Sequence, residues 1–184
     1  MKRAMKILVL ALLFLCGATF DGRARKQELS PQLKEIAAAL ESGMKEQLPE
    51  WEFARVAPLL GSSDVLIEFW SLRGRRVKVS ILLHASEQEA VKAIENFIAN
   101  ERVSGKVSGI GDKAYAWGYG DEIAFRKKTL TVYVSADSQI PTEATLDQSD
   151  KAKRERAEQS ALNKNFARLI STLLFAPPTR RDIY

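Results

Sequence analysis

Apolar residues recur at two different spacings along this chain, and the changes of spacing divide it into elements. Between Ser30 and Pro49, Leu33, Ile36, Ala37, Leu40, Met44 and Leu48 fall on one face at helical spacing. Ser30 suits the N-cap, and Pro31 suits the first helical position, where its missing N–H costs nothing. Gly43 weakens the middle of this helix by roughly 1 kcal/mol relative to Ala, and Pro49 stops it. A period of two then takes over. EWEFARVAPLL is extended but interrupted by Pro58, which predicts an edge strand. DVLIEFWSL and RRVKVSILLHA flank Arg73-Gly74, a compact hairpin turn. Alternation sends Val65, Ile67 and Phe69 to one side of the sheet, together with Val77, Val79, Ile81 and Leu83. The helical period returns in SEQEAVKAIENFIANERV, where Ser86 and Glu89 form a capping box and Val91, Ile94, Phe97 and Ile98 form a buried stripe. Strands resume through KAYAW, DEIAF and TLTVYVS. From Thr142 onward the chain reads as one long polar helix, charged all round in its first half. Its second half carries Leu162, Phe166, Leu169, Ile170 and Leu173 on one face. The pattern predicts an α+β fold: a mainly antiparallel sheet of five or six strands, helices packed on one face, and a long C-terminal helix.

The N-terminal end follows a different rule. Lys2, Arg3 and Lys6 precede Ile7–Leu15, an apolar run too short to span a bilayer, which takes about 20 residues. Small residues follow. This is the three-part pattern of a cleavable secretory signal, with a cut after Ala18 or, as an alternative, after Ala24. A lipid anchor at Cys16 is a second possibility that bulky Leu15 fits poorly. The organisation expected is a signal peptide over 1–18, a flexible lead over 19–29, one α+β domain over 30–176 and a tail over 177–184, broken by Pro177 and Pro178. Export predicts a periplasmic or secreted protein with no transmembrane span in its mature chain.

The leader also changes the charge and the chemistry. The 184 residues include 28 Lys or Arg and 23 Asp or Glu, a net charge of +5. Lys2, Arg3 and Lys6 are the only charges within 1–18, so the mature chain would carry 25 basic and 23 acidic residues. Near neutrality, it has no broad electrostatic footprint for nucleic acid. Cys16 is the only cysteine. Without it, disulfides, thiol catalysis and thiolate-bound metals are excluded. His84 is the only histidine, too few for an imidazole zinc site, and no nucleophile-elbow motif appears. No cofactor and no metal are expected.

GIGDKAYAWGYGDEIAFRKKTLTVYVS poses the question of a phosphate loop. Such loops open a helix, whose N-terminus holds the phosphate. Here Gly109-Ile110-Gly111-Asp112 leads into strand-like KAYAW, and Asp112 would repel a phosphate. A turn explains more. Gly109 and Gly111 permit backbone angles closed to other residues, Ile110 plugs into the core beneath, and Asp112 bonds its own backbone two residues on. Gly120-Asp121 marks a hairpin tip, and Arg126-Lys127-Lys128 marks another turn that lacks the usual Gly or Asn. Over Val107–Ser135 the stretch resembles an element of small exported bacterial α+β domains of uncharacterised function, in which a Gly-Ile/Val-Gly-Asp-x-Ala-aromatic turn leads into the second half of an antiparallel sheet. The resemblance implies the fold class and export, and no activity.

The face of the sheet turned away from the helices carries the remaining candidates. Alternation places Leu66, Glu68 and Trp70 there, with Lys78, Ser80, Leu82 and His84, and with Thr131, Tyr133 and Ser135. Large rings with a polar handle among polar neighbours suit a binding surface. Trp70, Tyr133, Leu82 and His84 are the candidate binding residues, and Gly109, Ile110, Gly111 and Asp112 the structural turn. The expected function is an exported, non-enzymatic binding or interaction domain of the bacterial envelope. Its partner would be an envelope protein, a peptide, a glycan or a second copy of the chain. The alternatives are a periplasmic enzyme using carboxylates on the open face, or a structural protein assembling through the long helix.

Overall fold

A computed structural model describes residues 28–56, 62–138 and 148–174. The leader, the Pro58 segment, the Thr142 helix start and the C-terminal tail lie outside these residues. The described elements, in chain order, are α1 (Pro31–Gln47), β1 (Glu52–Val56), β2 (Val65–Leu72), β3 (Arg75–Leu83), α2 (Glu87–Asn100), β4 (Val103–Val107), β5 (Lys113–Trp117), β6 (Glu122–Lys127), β7 (Leu130–Ser138) and α3 (Gln148–Leu173). The fold is α+β, and the strands form one seven-stranded antiparallel sheet in the order β1-β2-β3-β7-β6-β5-β4. The meander β1–β3 and the meander β4–β7 thus meet where β3 pairs with β7, and α2 links them. The strand that exceeds the expected five or six is β4. Its sequence, VSGKV, has weak alternation, and three of its five residues are exposed, so the pattern gave no apolar face to read.

α1 and α3 lie on one face, called inner here. Leu33, Ala37, Leu40 and Met44 of α1 are buried at the expected helical spacing. They pack with Phe166, Ala167 and Ile170 of α3 and with Val77, Val79, Ile81, Val132, Val134, Ile123 and Phe125 of the sheet. Pro31 stands at the start of α1 as expected, but the Ser30 side chain makes no cap bond. Its backbone N–H instead donates to Ser63 O at 2.8 Å, anchoring the helix start to the segment before β2. Gly43 has a packing reason: a Cβ there would sit 2.5 Å from the Leu173 side chain, so its bare backbone lets α1 and α3 close together.

The expectation that all helices share one face is corrected. α2 packs on the opposite, outer face, through Ile94, Phe97 and Ile98 against Tyr115, Ala124, Trp117 and Tyr133. Its start is capped by the Ser86 hydroxyl, which accepts from Glu89 N–H, while Glu89 accepts from Ala85 N–H. The apolar stripe of α2 does not by itself reveal which side of the sheet it covers.

The β2 face assignment is also corrected. Trp70 pairs with Val77, Glu68 with Val79 and Leu66 with Ile81. Leu66, Glu68 and Trp70 therefore point inward and are fully buried, and Val65, Ile67 and Phe69 point outward. Both parities of β2 are mainly apolar, so alternation could not separate them, and the acid at position 68 favoured the wrong one. The β3 and β7 assignments agree with the register, with Val77, Val79, Ile81, Leu130, Val132 and Val134 inward.

The Gly109–Asp112 turn opens a strand, β5, rather than a helix. Ile110 is a buried plug. Gly111 has φ +55°, and a Cβ there would fall 2.4 Å from Arg126 O. Its N–H donates to the Ser171 hydroxyl of α3 at 2.8 Å. Asp112 fixes a neighbouring turn instead of its own backbone. Its carboxylate accepts from Lys128 N–H at 2.8 Å and pairs with Arg126 and Lys127, each at 3.1 Å. Lys128 there adopts φ +48°. The Asp112 bond explains how a turn without Gly or Asn holds that conformation, and the hydrogen bond and cations keep the Asp112 carboxyl below its ordinary pKa against the opposing effect of burial.

Candidate functional site

The register of the central strands builds the outer face row by row. Phe69 of β2 pairs with Lys78 of β3, and Lys78 with Ser135 of β7, whose hydroxyl donates to Glu122 Oε1 of β6 at 2.7 Å. Glu122 pairs in turn with Trp117 of β5. The next row runs Ile67, Ser80, Tyr133, Ala124, Tyr115. α2 crosses the β5–β7 end of these rows and presents Phe97. That ring meets Trp117 edge-on, centroids 5.1 Å apart, and Tyr133 at 5.1 Å and 61°. The three rings lock one another, because edge-to-face pairs of this kind add to the burial of their area.

Beside α2 the face opens into a concavity of about 330 Å³ lined by Lys78, Ser80, Phe97, Trp117, Glu122, Tyr133 and Ser135. Pockets for small ligands start at about this volume. Burial raises the Tyr133 phenol above its ordinary pKa, with the Thr131 hydroxyl working against it. The Trp117 indole N–H is buried and has no hydrogen-bond partner among the described residues. Lys78 is exposed and makes no ion pair among the described residues, and Glu122 bonds only to Ser135. Three aromatic side chains, an unpaired cation and a carboxylate thus line one space. A concavity of about 390 Å³ also lies among Glu50, Glu52, Ser71, Leu72 and Arg73. It offers no ring and sits at the end of the β2–β3 turn.

Of the four candidate binding residues, Tyr133 lines the pocket. Leu82 and His84 stand beyond it on the same side, and His84 Nε2 is engaged with the Thr131 hydroxyl at 2.9 Å. Trp70 is on the inner face, fully buried and 4.8 Å from the Phe53 ring, so it cannot share a surface with Tyr133. Sequence reasoning missed Phe97, Trp117 and Glu122 as site residues. Trp117 was accessible to it: Lys113, Tyr115 and Trp117 share one parity, opposite to the small Ala114 and Ala116. Phe97 was hidden by the assumption that its helix joins the others.

The inner face holds the most perturbed carboxyl. Glu68 is fully buried and receives Arg55 at 3.2 Å, while Arg55 also holds Glu41 at 3.0 Å and Ala37 O at 3.3 Å. Burial raises the Glu68 pKa from 4.5 to about 7, against the opposing effect of Arg55. Glu68 Oε2 and the Trp70 indole N–H make no hydrogen bond of full geometry, although the neighbouring indole also works to lower the Glu68 pKa. One guanidinium serves two carboxylates here, clasping α1 to β1 and β2.

No group of metal-binding side chains occurs among the described residues, and none of their helices is long and apolar enough to cross a membrane. No family model matches the chain, and comparison with curated proteins and with solved structures found no significant match.

Proposed function

We propose that this protein is an exported, non-enzymatic binding domain of the bacterial envelope, with its ligand held in the outer-face pocket beside α2. The observation that carries the reading is the convergence of Phe97, Trp117 and Tyr133 with two charges of opposite sign that do not pair with each other. Rigid rings with polar handles beside a few placed polar groups are what small-ligand sites use for affinity and orientation. Export rests on the basic, apolar and small-residue succession of residues 1–18.

The alternative readings have less support. Glu122 is the one carboxylate lining the pocket among the described residues, whereas hydrolysis by carboxylates on an open face takes two. The apolar stripe of α3 is occupied: Phe166, Ala167 and Ile170 are buried, and Leu162, Leu169 and Leu173 pack against the same core. That leaves little seam for assembly through this helix.

Two measurements test the proposal. Intact mass of the protein recovered from its producing cell is expected to lack residues 1–18 or 1–24; recovery of the full-length chain from the cytoplasm overturns export. A thermal-unfolding screen against di- and tripeptides, monosaccharides and aromatic carboxylates is expected to find a stabilising class. A ligand at a hundred times its Kd stabilises by about 2.7 kcal/mol. Stabilisation by no class, or equal stabilisation of a Tyr133→Ser variant, overturns the pocket as the site.

A further inference from the structure

We infer that the outer-face pocket takes a short peptide of two or three residues with both termini free: carboxylate on Lys78, ammonium on Glu122, and apolar side chains against Phe97, Trp117 and Tyr133. This rests on the reading of the pocket as a binding site and adds the class of ligand.

Lys78 and Glu122 belong to one row of the outer face, with Ser135 between them. They carry opposite charges and do not pair with each other. A simple anion attracted by Lys78 meets Glu122 across one strand, and a simple cation attracted by Glu122 meets Lys78. A neutral sugar offers hydroxyls to both groups but no charge to either. A ligand carrying both charges at its two ends satisfies both, and charge-assisted hydrogen bonds are the strong ones.

Length follows from the strand spacing. Lys78 and Glu122 stand on strands separated by β7, so their backbones are two spacings, about 9.6 Å, apart. An extended chain advances about 3.3–3.6 Å per residue. Laid across β7 from one strand to the other, a chain of two or three residues matches that backbone span. Along that span the N–H groups and carbonyls of a peptide can exchange bonds with the Ser80 side chain, which lines the same space. The ring walls favour apolar side chains along the peptide.

Calorimetric titration of the full mature chain with Leu-Gly-Phe tests this, alongside the N-acetylated and C-amidated forms of the same peptide, free leucine and glucose. Capping either end is expected to weaken binding by about tenfold or more, the cost of a lost charged contact. Lys78→Met is expected to erase the penalty for amidation and keep that for acetylation. Glu122→Gln, which can still accept from Ser135, is expected to do the reverse. Capped and free peptides of equal affinity would overturn the inference and leave the pocket standing as a binding site. So would glucose binding as tightly as the peptide with the same sensitivity to Tyr133→Ser. Failure of every probe to bind would remove this inference, and the broader thermal screen would then decide the binding reading by itself.

Discussion

The inner and outer faces of this one sheet bury side chains by different means. The inner face is sealed by two helices, and its strands contribute Val77, Val79, Ile81, Val132 and Val134 to a continuous core with no exposure. Even an acid, Glu68, is enclosed there. Among the described residues the outer face is covered by α2 at one end, and its residues near that helix are rings, hydroxyls and charges. A face closed from both sides selects for volume and tolerates one polar group held by a partner. A face closed from one side keeps a wall and an opening, the arrangement in which a ligand can complete the burial.

Four changes break or sharpen this contrast. Trp70→Ala removes the largest fully buried side chain and is expected to cost about 3–5 kcal/mol. Denaturant unfolding checks it, and a cost under 1 kcal/mol would place Trp70 outside the core. The second change is pH. Folding raises the Glu68 pKa above its ordinary value of 4.5, so its contribution to stability is complete below about pH 4.5 and is lost as pH rises through about 7. The difference in stability between wild type and Glu68→Gln is expected to shift against the wild type by on the order of 3 kcal/mol over that interval. A flat difference contradicts the buried acid. Asp112, whose pKa is lowered, acts in the opposite sense: its contribution is present at neutral pH and is lost in acid.

The third change concerns the turn that plugs the inner core. Gly111→Val meets both a positive φ and the Arg126 carbonyl, and is expected to cost about 1–3 kcal/mol. Gly109 has φ +74° but open space around its missing Cβ, so Gly109→Val should cost less. Melting temperatures of the two variants give the order, and its reversal would contradict the close approach at Gly111. The smallest effect belongs to the outer face. Lys78→Ala removes an exposed, unpaired cation and is expected to move stability by no more than about 0.5 kcal/mol while weakening the peptide. A large loss of stability would make Lys78 a structural residue.

The contrast also explains what could be read in the sequence. The three helices and six of the seven strands left clear periodic traces, and the Ile110 plug was legible because an isolated apolar residue between two glycines has few other uses. The faces were legible only where one parity is purely branched aliphatic, as in Val77–Leu83 and Leu130–Val134. On β2, Leu66 and Trp70 compete with Val65, Ile67 and Phe69. Its orientation was decided by long-range partners, Val77 and Val79 across the ladder and Arg55 beside Glu68, which no local pattern contains. The site suffered most from this. Its ring cluster depends on which side of the sheet α2 takes, and a stripe such as Ile94, Phe97 and Ile98 packs equally well on either.

The central claim is that ligand is taken on the outer face while the inner face stays closed. The chain has three tryptophans: Trp51 and Trp70 pack with the inner core, and Trp117 with the outer ring cluster. Nitrogen–proton correlation spectra of the protein resolve one indole N–H signal for each. On titration with Leu-Gly-Phe, the Trp117 signal is expected to move saturably, while those of Trp51 and Trp70 hold their positions. Movement of the Trp70 or Trp51 signal with Trp117 unchanged would contradict the account.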